Sequence, residues 1–191
     1  MHRGTKISLR KMTVIGLLSA ISIMLSMTPL GYIPLGPVNA TIMHLPVIIG
    51  AVIEGPIVGM AIGFIFGVTS LIRAITTPTI TSFLFMNPLV SVLPRVIMGL
   101  LSYYVFAFVM KISKKVSASA FITGVVGSMI NTVGVLGMIY FIYADRYMEI
   151  IGKTGSAVKA IAALALANGI PEALVAAVVV SSVAVVIKRK I

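Results

Sequence analysis

The chain has 191 residues, of which 59% are hydrophobic and only 10% are charged, and its mean hydropathy is +1.15. An ordinary soluble domain is about 45–50% apolar and about 25% charged. So few charged side chains cannot cover a surface in water, and so many apolar ones exclude a disordered chain. The composition therefore predicts one integral membrane domain over residues 1–191.

The charge balance indicates orientation in a membrane rather than a nucleic-acid partner. There are 15 Lys and Arg residues against 4 Asp and Glu, which gives a net charge of +11. These bases cluster at the ends of apolar runs, where they set topology and attract anionic lipid headgroups. Cysteine is absent, and two histidines with four acids make a metal centre hard to assemble. We expect no metal, no cofactor and no catalytic residue.

Six apolar runs predict an all-α bundle of six membrane helices. A membrane-spanning helix needs about 20 largely apolar residues, and the second run is shorter than that. Glu54, Gly55 and Pro56 form a turn signal between the second and third runs. The predicted helices cover about residues 12–30, 40–54, 57–74, 90–110, 117–143 and 157–187.

The basic clusters predict which side of the membrane each end occupies. With six spans, the N-terminus, the turn between helices 2 and 3, the loop between helices 4 and 5 and the C-terminus share one side. Three of these four carry runs of Lys and Arg, so the positive-inside rule predicts cytoplasmic termini. Residues 31–39, 75–89 and 144–156 then form outer loops. In an alternative reading, the first run is a signal peptide, but no small-x-small cleavage site precedes Pro29.

Polar residues inside the apolar runs are the candidate site residues, because such groups are costly in a membrane unless they face a cavity or a partner helix. Two arginines near the outer ends of helices 3 and 4 suit an anion such as a carboxylate, although both could instead snorkel to headgroups. The candidates are His44, Arg73, Arg95, Asn131, Asn168 and Glu172.

Three of these candidates have alternatives that remain open. Asn131 suits either a ligand or a hydrogen bond between helices. Asn168 and Glu172 are four residues apart and share a face of helix 6, with Pro171 between them to kink the helix. Glu172 lies deep in an apolar run, which favours a functional role, and the alternative is that it pairs with an arginine.

Small residues on helix 1 predict a close helix contact. Gly16 and Ala20 are four residues apart, a spacing that lets backbones approach. Their partner is either another helix of this chain or a second protein. The sequence contains no Walker A motif and no nucleophile elbow, so any energy for transport must come from elsewhere.

This order of features resembles the substrate-binding S component of an energy-coupling factor (ECF) vitamin transporter. Residues 34–46, 47–56 and 87–95 carry the resemblance, and Asn39 and Asn87 within them join the predicted substrate-binding residues. The resemblance implies a bacterial cell membrane, a six-helix bundle and an extracellular vitamin pocket. It also implies a transmembrane coupling subunit, which Gly16 and Ala20 would contact in place of the family's Ala-x-x-x-Ala, and two cytoplasmic ATPase subunits.

Among the vitamins of such transporters, the residues favour pantothenate. Arg73 and Arg95 suit a carboxylate, which pantothenate and folate have and riboflavin lacks. Tryptophan is absent and aromatic residues make up 7%, a poor supply for stacking a large flat ring. Riboflavin, folate and a hydroxymethylpyrimidine or pyridoxine remain alternatives. A small membrane enzyme acting on lipids is a more distant one, because the four acids are scattered.

Overall fold

The computed structural model describes residues 8–35, 38–79, 81–150 and 157–188. These residues form a nearly all-helical bundle with one short β-hairpin, so the predicted helical fold is confirmed. The helices are α1 (Leu9–Met27), α2 (Leu45–Glu54), α3 (Pro56–Thr76), α4 (Ser82–Phe85), α5 (Pro88–Ser91), α6 (Leu93–Ser113), α7 (Val116–Ile150) and α8 (Ala157–Lys188). The strands are β1 (Tyr32–Leu35) and β2 (Val38–Thr41).

Five stretches of helix are long and apolar enough to cross a membrane. They are Leu9–Met27, Pro56–Thr76, Pro88–Ser113, Val116–Arg146 and Ile161–Lys188. The sixth apolar helix, α2, has only ten residues and rises about 15 Å. Because a bilayer core is about 30 Å thick, α2 cannot cross it alone, and the number of membrane spans stays a prediction.

The prediction of helix from residue 40 is wrong, because the chain first forms the β-hairpin. β1 and β2 pair antiparallel, with Tyr32 opposite Thr41 and Ile33 opposite Ala40. Helix α2 begins only at Leu45, with Pro46 in its first turn. A helix starting at Ala40 would place Pro46 in its interior, where the ring clashes with a carbonyl one turn back.

Helix α2 forms the centre of the bundle. All eight of its residues from 45 to 52 are buried, and the helix packs against α1, α3, α6, α7 and α8. At its end, the Glu54 carboxylate lies 2.7 Å from Nε of Arg10 on α1. The start of α1 and the turn between α2 and α3 therefore lie together, as the predicted topology requires. The Glu54 side chain is only 8% exposed.

Glycines bring α3 and α6 into direct backbone contact. Gly59, Gly63 and Gly67 recur every four residues and so share one face of α3. A Cβ at Gly59 would lie 2.6 Å from the carbonyl oxygen of Gly99, and one at Gly67 would lie 2.6 Å from Cα of Val92. Any side chain on this face would push the two helices apart.

The segment between α3 and α6 is held against one end of α7. The helical path of α7 is interrupted at Tyr143, which has φ −133° and ψ 18°. The Phe83 ring packs edge-on to Tyr143 at 5.6 Å, and Asn87 donates a 3.3 Å hydrogen bond to the Tyr143 hydroxyl. The Arg146 guanidinium lies 4.7 Å from the Phe83 ring centre. This predicted loop is thus built from two short helices fastened to α7.

Candidate functional site

A cavity of about 480 Å³ opens between the hairpin, α3, α4, the end of α1, the start of α6 and the middle of α7 and α8. Aromatic and aliphatic side chains, among them Phe66, Phe85, Val135 and Leu136, form its apolar walls. Its polar lining consists of Ser26, Tyr32, Thr41, Ser70, Arg73, Thr77, Thr79, Thr81, Ser82, Arg95, Asn131, Thr132, Asn168 and Glu172. The volume falls within the range of about 300–1,000 Å³ typical of small-molecule sites.

Arg95 is the most buried cation of the cavity. It lies in the first turn of α6, is 5% exposed, and donates one hydrogen bond from Nη1 to the Val90 carbonyl. Its guanidinium carbon lies 5.6 Å from the Phe66 ring centre and 5.7 Å from that of Phe85. Among the described residues, its Nε has no hydrogen-bond partner and no carboxylate lies within ion-pair distance.

Arg73 occupies a different position and has different partners. It lies in the last turn of α3 and donates from Nη1 to the Ser26 carbonyl at 2.5 Å and to the Tyr32 hydroxyl at 2.8 Å. Its guanidinium carbon also lies 5.6 Å from the Tyr32 ring centre. These contacts join the end of α1, the hairpin and α3, so part of the donor capacity of Arg73 is already used in building the wall.

Asn131 and Asn168 bring two amides to the cavity, from α7 and α8. Asn131 is 9% exposed, and within the described part of the chain its Oδ1 has no hydrogen-bond partner. Asn168 is half-buried and lines the cavity one turn before Glu172. Helix α8 continues as a helix through Pro171, which lies between them.

Glu172 is buried and bound to hydroxyl and amide donors. Its Oε1 accepts hydrogen bonds from the backbone N–H of Thr41 at 2.9 Å and from the Thr41 hydroxyl at 2.7 Å. Its Oε2 accepts from the Thr132 hydroxyl at 3.4 Å. The alternative that Glu172 pairs with an arginine is not seen among residues 8–35, 38–79, 81–150 and 157–188, where the ion pair is Arg10 with Glu54.

Three predicted site residues do not contribute to the described cavity wall. His44 precedes α2 as its N-cap residue rather than lying inside a helix, is 1% exposed, and has no hydrogen-bond partner on either ring nitrogen among the described residues. Asn87 caps α5 through a 3.0 Å bond from the Leu89 N–H. The side chain of Asn39 lies outside the described residues.

Sequence reasoning missed the hydroxyl groups of the cavity. Thr77, Thr79, Thr81 and Ser82 follow one another closely at the end of α3, and all four line the cavity. Such a run of hydroxyl side chains in a short connection was a visible signal. Tyr32, Thr41 and Thr132 gave no such signal, because their roles depend on contacts with distant residues.

The predicted docking positions lie on the outside of the bundle. Gly16 and Ala20 are exposed on α1, and a Cβ at Gly16 would meet no described atom within 4 Å. The other small residues of α1 face inward, because Ser19, Ser22 and Ser26 are all buried. Gly16 and Ala20 therefore do not serve a helix contact within the described part of this chain.

An apolar helix bundle that encloses a solute-sized polar cavity with two arginines defines a multi-pass membrane protein with a ligand pocket. A family model described as ECF transporter, substrate-specific component, matches residues 10–187. The chain belongs to this family, which makes it a substrate-binding transporter subunit rather than an enzyme.

Two curated relatives are similar over much of the chain. The pantothenic acid transporter PanT of Lactococcus lactis subsp. cremoris is 31% identical over 159 residues, which cover 72% of this chain and 79% of the relative. The pantothenate transporter PanT of Leuconostoc mesenteroides subsp. mesenteroides is 36% identical over 115 residues, which cover 56% of each chain.

Proposed function

We propose that this chain captures pantothenate in the cavity, as the substrate-binding subunit of an ATP-driven ECF importer. The observation that carries the proposal is Arg95, a buried cation that lines the cavity without a carboxylate partner among the described residues. A buried charge is costly when it is unpaired. An anionic ligand would supply the missing partner, and the names of the two relatives indicate which anion.

The chemistry of pantothenate matches the rest of the cavity lining. The molecule carries a carboxylate, an amide, two hydroxyl groups and a pair of methyl groups. The cavity offers a guanidinium at Arg95, an amide at Asn131, several threonine hydroxyls, and apolar walls at Phe85 and Val135. Arginine binds carboxylates with two parallel hydrogen bonds, which gives orientation as well as affinity. We further propose that Asn168 contacts the ligand, whereas Arg73 and Glu172 hold the walls.

The proposed partners are a transmembrane coupling subunit and two cytoplasmic ATPase subunits. The exposed small residues Gly16 and Ala20 would form the contact with the coupling subunit, since small side chains let membrane helices approach closely. The basic clusters support termini on the cytoplasmic side of a bacterial cell membrane, with the cavity facing outward.

A vitamin panel on the purified chain tests the proposed substrate. The protein in lipid nanodiscs is titrated by calorimetry with pantothenate, riboflavin, pyridoxine and folate. We expect saturable binding of pantothenate alone, and a loss of affinity of about 1.5–3 kcal/mol in Arg95→Gln, the usual range for a hydrogen bond to a charged group. Lys111→Gln, which removes an exposed cation from the other end of the same helix, is the matched control. Binding of riboflavin or pyridoxine instead of pantothenate would refute the assignment.

A further inference from the structure

The cavity has a buried floor and an open rim. The positions of its lining residues along α3 give the distance between the two. Phe66, Ser70 and Arg73 line the cavity from one face of α3, and Thr77, which directly follows the helix, continues this lining. At about 1.5 Å per residue, Phe66 and Thr77 are about 16 Å apart along the helix. The guanidinium of Arg95 lies beside the ring of Phe66. Arg95 thus marks the floor, and the exposed Thr77 marks the rim.

The two arginines stand at different heights and differ in the donors left for a ligand. Arg73 lies seven residues after Phe66 on α3, about 10 Å closer to the rim. One of its terminal nitrogens already donates to the Ser26 carbonyl and the Tyr32 hydroxyl. Within the described part of the chain, Arg95 makes one hydrogen bond, to the Val90 carbonyl, and its Nε has no partner.

Between floor and rim, the lining changes from amide to apolar to hydroxyl. Asn131 is nine-tenths buried, and its Oδ1 lacks a partner in the described part of the chain. One turn along α7, Val135 and Leu136 line the cavity with apolar groups. At the rim, the hydroxyl of the exposed Thr79 lies 2.9 Å from that of the buried Ser82, which also accepts a 2.8 Å hydrogen bond from the Thr79 N–H.

We propose that pantothenate binds with its carboxylate on Arg95 at the floor and its terminal hydroxyl at the rim formed by Thr77 and Thr79. Its amide and the hydroxyl next to it then lie beside Asn131, and its two methyl groups lie against Val135. The order of groups along the ligand matches the order of groups along the cavity wall. The reverse orientation would place the carboxylate near Arg73, whose donors are partly used. This inference rests on the proposed function.

The test compares pantothenate with pantothenol, the neutral analogue in which an alcohol replaces the carboxylate. We expect wild-type protein to bind pantothenol about 10- to 150-fold more weakly, the equivalent of one lost charged hydrogen-bonding contact. Arg95→Gln should bind both compounds with nearly equal affinity, while Arg73→Gln should keep the preference for pantothenate. The opposite result, with the preference lost only in Arg73→Gln, would overturn the orientation.

A rim variant supplies a readout that does not depend on altering the buried arginine. Thr79→Val removes an exposed hydroxyl, and we expect it to weaken pantothenate and pantothenol by the same factor, about 2- to 12-fold. Thr76→Val, an exposed threonine outside the cavity lining, is its control. Pantothenate binding that is unaffected by Thr79→Val, or affected differently for the two ligands, would contradict the orientation alone. Failure of wild-type protein to bind pantothenate would instead refute the proposed function and the orientation together.

Discussion

Glu172 on α8 accepts two hydrogen bonds from Thr41 at the end of β2, one from the backbone N–H at 2.9 Å and one from the hydroxyl at 2.7 Å. The two residues are 131 positions apart in the chain. Since charge-assisted hydrogen bonds are stronger than neutral ones, the carboxylate fixes the hairpin to the bundle at one wall of the cavity.

Glu172→Ala, which removes the carboxylate, should destabilise the protein more than Glu172→Gln, which removes only the negative charge of the side chain. Glu172→Ala leaves the N–H of the half-buried Thr41 without its acceptor, at an expected cost of about 1–3 kcal/mol. Glu172→Gln retains a carbonyl oxygen in the same place and should cost less. Thermal unfolding of both variants in the same detergent measures the difference. Equal losses of stability would mean that Thr41 is not the important partner.

The Tyr32 hydroxyl should contribute to stability through Arg73. Tyr32→Phe removes the acceptor of the 2.8 Å bond from Arg73 and should cost about 0.5–1.5 kcal/mol, with only a small change in ligand affinity. Tyr104→Phe, which changes a side chain that is 56% exposed, serves as the control. Unfolding and titration of the two variants side by side provide the measurement. A large loss of affinity with unchanged stability would place Tyr32 on the ligand instead.

The contact between α3 and α6 should not tolerate even one methyl group on its glycine face. A Cβ at Gly59 would lie 2.6 Å from both the Gly99 carbonyl oxygen and the Ala51 Cβ, so Gly59→Ala should cost about 1–3 kcal/mol. At Gly137 a Cβ would meet no described atom within 4 Å, so Gly137→Ala should be neutral or stabilising by up to about 1 kcal/mol. The melting temperature of Gly59→Ala should therefore be lower than that of Gly137→Ala. Similar melting temperatures for the two variants would contradict the packing described for α3 and α6.

The exposed small residues of α1 should matter for assembly but not for the cavity. Gly16→Leu or Ala20→Leu should reduce co-purification with a co-expressed coupling subunit and its ATPases, because a bulky side chain prevents close helix approach. Pantothenate affinity of the isolated variant should stay unchanged. Gly137→Leu, at another open glycine, should affect neither property. Parallel loss of assembly and of ligand binding would argue against α1 as the docking helix.

Hydropathy predicted most of the helical fold but not the hairpin. Runs of about 20 apolar residues are strong signals, and the helices found within residues 9–27, 56–76, 93–113, 116–150 and 157–188 correspond to five of the six predicted runs. Strands of four residues are too short to give a period, so residues 38–41 were assigned partly to the next helix. Pro46, a residue typical of a helix start, was the signal that pointed to the observed boundary.

The candidate site was predictable in its residue types but not in its division of roles. Polar groups in apolar runs are rare, which is why Arg73, Arg95, Asn131, Asn168 and Glu172 could be selected, and all five line the cavity. The sequence treated the two arginines as equivalent. Their difference arises from partners contributed by other elements, Ser26 and Tyr32 for Arg73 and the aromatic rings for Arg95, and such distant contacts leave no local pattern.

The shortness of α2 has a consequence for how the cavity arises. A second helix long enough to cross the bilayer would begin several turns before Leu45. The chain instead forms two four-residue strands there, before α2 begins. Irregular backbone is tolerated at such depth where it borders a cavity. Tyr32 and Thr41 of the hairpin line the cavity, whereas α2 supplies no residue to the described lining. Changes in the hairpin can reshape the cavity while the glycine contacts that hold the bundle together stay intact.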